Sequence, residues 1–260
     1  MAQNESYQIF NDNNKSGILI LCDHATNVIP QSVSKNSLGL SQEELASHIA
    51  YDIGALETSK KIARNLDSTL ISSRFSRLVV DPNRSQQDPT LIMKLYDESL
   101  ITGNLNLDKA QIQKRMCDFY YPYHKRIKKF IAEKKKSNSC LLIISIHSFT
   151  PKLKKKSIRP WHIGILWDKD RRLSKLMIKN LECLETICVG KNQPYSGALE
   201  GDTMHKHGTL NNIPHALIEI RNDLIATESG QNKWSKILAQ IISKTKKQLL
   251  SNQEERHEIY

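Results

Sequence analysis

Two stretches of this chain are built alike, and together they constrain the fold more than any other feature. Residues 18–30, ILILCDHATNVIP, and residues 141–151, LLIISIHSFTP, each run through aliphatic residues to a histidine, then to polar residues and a proline. A run that is short, apolar on both faces and rich in Ile reads as a buried strand. Similar runs recur at STLISS (68–73), RLVVD (77–81), HIGILW (162–167) and HALIEI (215–220). Helical patterns lie between them. Ser41 and Glu44 have the spacing of a capping box, and Ile49, Ile53 and Leu56 continue one helical face. A second helix is expected from about 108 to 136, interrupted at Pro122, a third over 170–187 and a last over 230–250. Alternating strands and helices indicate an α/β fold with a largely parallel sheet. A length of 260 residues suits one domain over 1–260, with flexible ends at 1–16 and 251–260.

In an open parallel sheet the carboxyl ends of the strands line the ligand crevice. His24 and His147 are therefore expected on one rim, where two imidazoles can bind a divalent metal such as zinc, with a carboxylate and a water completing the shell. The alternative for each is a buried histidine bonded to a neighbouring carbonyl. A third run, PHALIEIRND (214–223), places Glu219 and Arg221 on one strand face. Ionised groups inside an apolar strand need compensation. Either they form a structural ion pair, or Glu219 faces water activated by the metal and shuttles its proton during attack on an acyl carbon. The segment SSRFSRLVVDPNRSQ (72–86) gathers Arg74, Arg77 and Arg84 around Asp81 and Asn83. Arginine grips a carboxylate through two parallel hydrogen bonds, which makes Arg84 the candidate substrate contact, with Asp81 orienting one of the arginines.

The net charge is +11, much of it in lysine runs at 134–136, 152–156 and 244–247. No aromatics are interleaved for base stacking, so solvated faces are expected rather than a nucleic-acid surface. Such a surface suits a small anionic substrate. Five scattered cysteines form no CxxC pair and read as reduced thiols, mostly core filler. With no apolar signal core and no run long enough for a bilayer, no membrane contact and a cytoplasmic location are expected.

The stretches CDHATNVIP, HIAYDIGALE, SRLVVDPNR, YYPYHKRI, SIHSFTP, RPWHIGILWDKD, QPYSG and PHALIEIRNDLI resemble the N-formylglutamate amidohydrolase family, in family order over about residues 18–225. The resemblance implies a three-layer α/β/α fold with a mixed, largely parallel sheet, similar to zinc carboxypeptidases. It also implies a zinc-dependent hydrolase of an N-acyl acidic amino acid. SIHS at 145–148 resembles the last metal-histidine motif of the carboxypeptidases, Asn83-Arg84 their substrate-binding pair, and the Glu219 strand the one carrying their general base. One departure stands out. Where those enzymes have His-x-x-Glu, this chain has His24-x-x-Asn27, so the third ligand is Asp52 or, as alternative, Asn27. Asp23 is expected to point to the other side of its strand. Arg221 is placed with Glu219 as catalytic. Asn83, Arg77, Tyr195 and His207 join Arg84 as substrate-binding candidates, while His124, Arg159, Trp161, His162 and Ser196 are further pocket candidates. N-formylglutamate is the named substrate. The alternatives are another N-acyl amino acid or peptide-like amide on the same scaffold, or a metal-free binding protein derived from it.

Overall fold

The computed structural model describes residues 6–12, 16–136 and 141–257, with side chains of the last helix through Ser251. In chain order the elements are β1 (Tyr7–Phe10), β2 (Ile18–Cys22), α1 (Gln42–Leu45), α2 (Ala55–Asn65), β3 (Thr69–Ser73), β4 (Leu95–Tyr96) and β5 (Ser99–Leu100). There follow α3 (Lys109–Arg115), α4 (Tyr121–Lys136), β6 (Leu142–Phe149), β7 (Ile163–Leu166), α5 (Arg172–Glu182), β8 (Val189–Lys191), α6 (Thr203–His207), β9 (His215–Arg221) and α7 (Glu228–His257).

Seven strands form one sheet in the order β1-β3-β2-β6-β9-β7-β8. The pairs β3–β2–β6–β9 and β7–β8 are parallel, while β1 on β3 and β7 on β9 are antiparallel. The period of two along β2 divides its side chains between layers. Ile18, Ile20 and Cys22 pack with Ala55, Ile62, Met177, Leu181, Leu238 and Ile242 under α2, α5 and α7. Leu19 and Leu21 pack on the other face with Tyr123, Ile127, Phe130 and Ile131 of α4 and Met204 of α6. The result is the three-layer α/β/α arrangement with a mixed sheet.

Several expectations are corrected. Residues 77–81 form a turn, not a strand: the Val79 amide bonds Ser76 O, and Val79 and Val80 are buried against Phe75, Leu91, Phe119 and Tyr120. Their hydrophobicity serves a side cluster rather than the sheet. The capping box at Ser41 and Glu44 is present, yet the helix it starts is only Gln42–Leu45. A separate helix begins after Gly54, whose φ of +78° and closeness to the Ile225 carbonyl leave no room for a Cβ. Pro122 does not interrupt its helix, because a π-turn over Met116–Tyr120 precedes it. Within 1–16, residues 7–10 are an edge strand, and within 251–260 the helix continues to His257. Cys117, Cys183 and Cys188 are exposed and only Cys22 is core; Cys140 lies outside the described residues. No helix among the described residues is long and apolar enough to cross a membrane.

Candidate metal centre

His147 is carried inside β6, and His24 lies two residues past the end of β2, the neighbouring strand. The two imidazoles meet: their ring centroids are 4.9 Å apart and their Nδ1 atoms 3.2 Å apart. Asp52, ahead of α2, is drawn to them by its amide, which donates to His24 O at 2.9 Å. Its Oδ2 is 2.8 Å from His147 Nδ1 and 3.4 Å from His24 Nδ1. One ligand atom from each of these three buried residues falls within 4.8 Å of the others.

Each ring is held from behind by a carboxylate. His24 Nε2 is 2.7 Å from Asp81 Oδ1, and His147 Nε2 is 3.1 Å from Asp23 Oδ2. Such partners fix the tautomer, placing N–H on Nε2 and turning the Nδ1 lone pairs inward. Two lone pairs and an anionic oxygen this close repel one another unless a cation or a proton sits among them. The donor set therefore fits a divalent metal. Charge follows the same logic. Burial would raise Asp52, but His24 and the hydrogen bond from His147 outweigh it and hold it well below the usual carboxylate range. Burial would lower His147, but hydrogen bonds with Asp23 and Asp52 raise it well above the ordinary value.

Glu219 lies beside His147 in register on the adjacent parallel strand. It is 7% exposed, and its Oε2 is buried without a hydrogen-bond partner among the described residues. Burial raises its pKa to about 7, with His147 opposing and Asp52 reinforcing the shift. An unpartnered acid of that kind beside a cation site is rare in a purely structural role. Both groups open onto a cavity of about 290 Å³.

The sequence agrees with this geometry. A family model, N-formylglutamate amidohydrolase, matches residues 16–226. The chain belongs to the N-formylglutamate amidohydrolase family. It is accordingly a hydrolase of amide bonds. A gene product of Agrobacterium tumefaciens is 34% identical and superimposes with a TM-score of 0.89 over 96% of both chains. An N-formylglutamate amidohydrolase from Ralstonia eutropha, 18% identical, shares the fold with a TM-score of 0.71 over 93% of this chain and 98% of that one. No curated protein matches significantly.

In this amidohydrolase the cavity is also lined by Arg77, Asn83, Arg84 and Tyr195, which the sequence singles out, and by His48, Tyr96, Phe149 and Asp202, which it does not. Arg77 bridges Asp52 at 3.4 Å and Asp81 at 3.1 Å. Other residues named from the sequence lie elsewhere. Asn27 donates to Leu45 O at 2.9 Å, outside the cluster, because its short amide caps a neighbouring backbone group instead. Arg221 ends its strand and pairs with Asp223 at 2.8 Å, away from the cavity lining. His207 is outside that lining too, bonded to His124 Nδ1 at 2.9 Å. Trp161 and His162 do not line it either, the latter's Nδ1 accepting from the Cys188 amide. Ser196 does.

Asp23 is the chief miss. β2 ends at Cys22, so strand alternation no longer governs the next residue, and Asp23 turns toward His147. Tyr123 and Thr203 hydroxyls donate to its Oδ1 at 2.8 and 2.9 Å, and Ser145 to its Oδ2 at 2.9 Å. An acidic residue adjacent to a ligand-type histidine was the available signal.

Proposed function

We propose that this chain hydrolyses the amide of N-formylglutamate to formate and glutamate, using a divalent cation, zinc in this reading, held by His24, Asp52 and His147. When bound, that cation supplies a Lewis acid for the formyl carbonyl and lowers the pKa of the attacking water. The rest is done by side chains. Asp23 and Asp81 hold the imidazoles in the ligating tautomer. Arg77 balances the charge of Asp52 and Asp81, with hydrogen bonds to both carboxylates. Glu219 takes a proton from water as it attacks the formyl carbon, then returns it to the departing amine. A pKa near neutrality suits both halves of that cycle.

Arg84 is the substrate carboxylate's partner in this reading. Its Nε donates to Thr90 Oγ1 at 3.2 Å and its Nη1 to Asn83 O at 3.0 Å, which fixes the guanidinium plane. Asp88 Oδ2 stands 4.0 Å from Nε, while Nη2 makes no hydrogen bond among the described residues and is left to grip an anion. Asn83 is pinned by its amide to Asp81 and by its side-chain oxygen to the Thr203 amide. The intact donor set argues against a metal-free binding protein.

The observation that carries this reading is Glu219, buried, unpartnered and in register with a ligand-type histidine. Glu219→Gln should keep the fold and bind one zinc per chain, while turnover of N-formylglutamate falls about 10²- to 10⁴-fold. Near-normal hydrolysis by that variant would remove Glu219 from the mechanism. A panel of N-acyl amino acids assayed in parallel decides between formyl and larger acyl groups.

A further inference from the structure

A dianionic substrate needs two cationic or donor sites, and the reaction centre leaves few. Arg77 is committed to Asp52 and Asp81. Arg84 can serve one carboxylate. Beyond the His24, Asp52 and His147 cluster, the cavity is lined by Phe149, Thr150 and Tyr195 among others. Arg159 is not itself among the lining residues but touches all three. Its Nη1 donates to Thr150 O at 3.2 Å and to Tyr195 Oη at 3.1 Å. Its guanidinium lies 5.0 Å from the centroid of the Tyr195 ring and 5.9 Å from that of Phe149. Nε and Nη2 make no hydrogen bond among the described residues.

The couple has a direction. Tyr195 Oη accepts from the Arg159 cation, so its own proton is left to donate elsewhere, and Tyr195 lines the cavity. A phenol that accepts from a guanidinium is a stronger donor to an anion, because the two bonds polarise each other. Burial, with Glu219 and Tyr96 adding to it, raises the Tyr195 pKa, so the hydroxyl keeps its proton at neutral pH.

We propose that Arg159, acting through the Tyr195 hydroxyl to which it donates, is a specificity-determining residue for the side-chain carboxylate of the substrate. This deepens the reading of the site as an N-formylglutamate hydrolase and rests on it. It predicts discrimination between an acid and its isosteric amide. A site whose polar groups are matched to one of two near-isosteres rejects the other strongly, because groups left unpaired are costly.

The test uses the zinc-loaded enzyme, its Arg159→Gln, Arg159→Lys and Tyr195→Phe variants, and the pair N-formylglutamate and N-formylglutamine. Arg159→Gln should lower kcat/KM for the acid about 10- to 100-fold more than for the amide, through KM, with Arg159→Lys recovering part of the loss. Tyr195→Phe should shift the same ratio in the same direction, and it decides the matter if Arg159→Gln does not fold. An equal loss on both substrates, or no loss on either, overturns the proposal. Calorimetric binding of the products, glutamate and glutamine, separates this proposal from the hydrolytic reading. Tighter binding of glutamate, lost in Arg159→Gln, supports the receptor even if neither formyl compound turns over. Equal affinity of the wild type for the two, or none for either, overturns it.

Discussion

Two pairs of histidines meet in this molecule, the first buried and the second partly so, and they are chemically opposite. His24 and His147 meet edge to face with Nδ1 atoms 3.2 Å apart, and Asp23, Asp52 and Asp81 surround them. His124 and His207 stack at 27°, with His207 Nε2 2.9 Å from His124 Nδ1 and His124 Nε2 3.0 Å from the Pro82 carbonyl. No carboxylate among the described residues bonds the second pair. A single N–H chain satisfies it: His207 donates to His124, and His124 donates to Pro82. Burial holds His124 well below its ordinary pKa and takes His207 to about 4. The difference lies in the anions. Carboxylates convert a pair of imidazoles into a cation site, and a carbonyl converts the same pair into neutral scaffolding.

The largest expected effect follows directly. His147→Ala should abolish stoichiometric zinc binding and, with it, hydrolysis. His207→Ala should keep one zinc per chain. Metal analysis of the two purified variants checks this, and zinc loss in His207→Ala alone would collapse the distinction. The next effect is smaller. Asp81→Asn keeps an acceptor for the His24 Nε2–H but loses its charge, and zinc affinity should fall about 10- to 100-fold. Competition with a chelator of known affinity measures it. An unchanged affinity would show that the carboxylate behind His24 contributes nothing to the site.

The sequence carried part of this comparison. Two aliphatic runs ending in histidine were enough to bring His24 and His147 to one rim, because strand ends in a parallel sheet share an edge. Asp52 was reachable from its place in HIAYDIGALE, although the helix once drawn through it is broken ahead of Gly54. Chain direction beyond a strand's last residue was not legible. That is why Asp23, one step past β2, is expected on the wrong side. Arg221 is the last residue of β9, and its pairing with Asp223 depends on the turn that follows, which the strand pattern does not show. His207 lies outside the cavity lining for another reason. Nothing in GDTMHKHG tells whether a histidine meets an anion or a carbonyl, since that depends on α4 packing beside α6.

The smallest effect concerns stability and pH. His207, at about 4 when folded against an ordinary 6.5, binds a proton more weakly in the native state than in the unfolded chain. Its contribution is therefore present above pH 6.5 and is lost as pH falls through that value toward 4. Between pH 7.5 and pH 5 the loss amounts to about 2 kcal/mol. His207→Gln leaves an amide to donate to His124 Nδ1 and removes the titration. Urea unfolding at the two pH values should then show a smaller drop for the variant by about that amount. An equal drop in both proteins would mean that His207 is not held neutral, and the contrast with the carboxylate-bound pair would lose its basis.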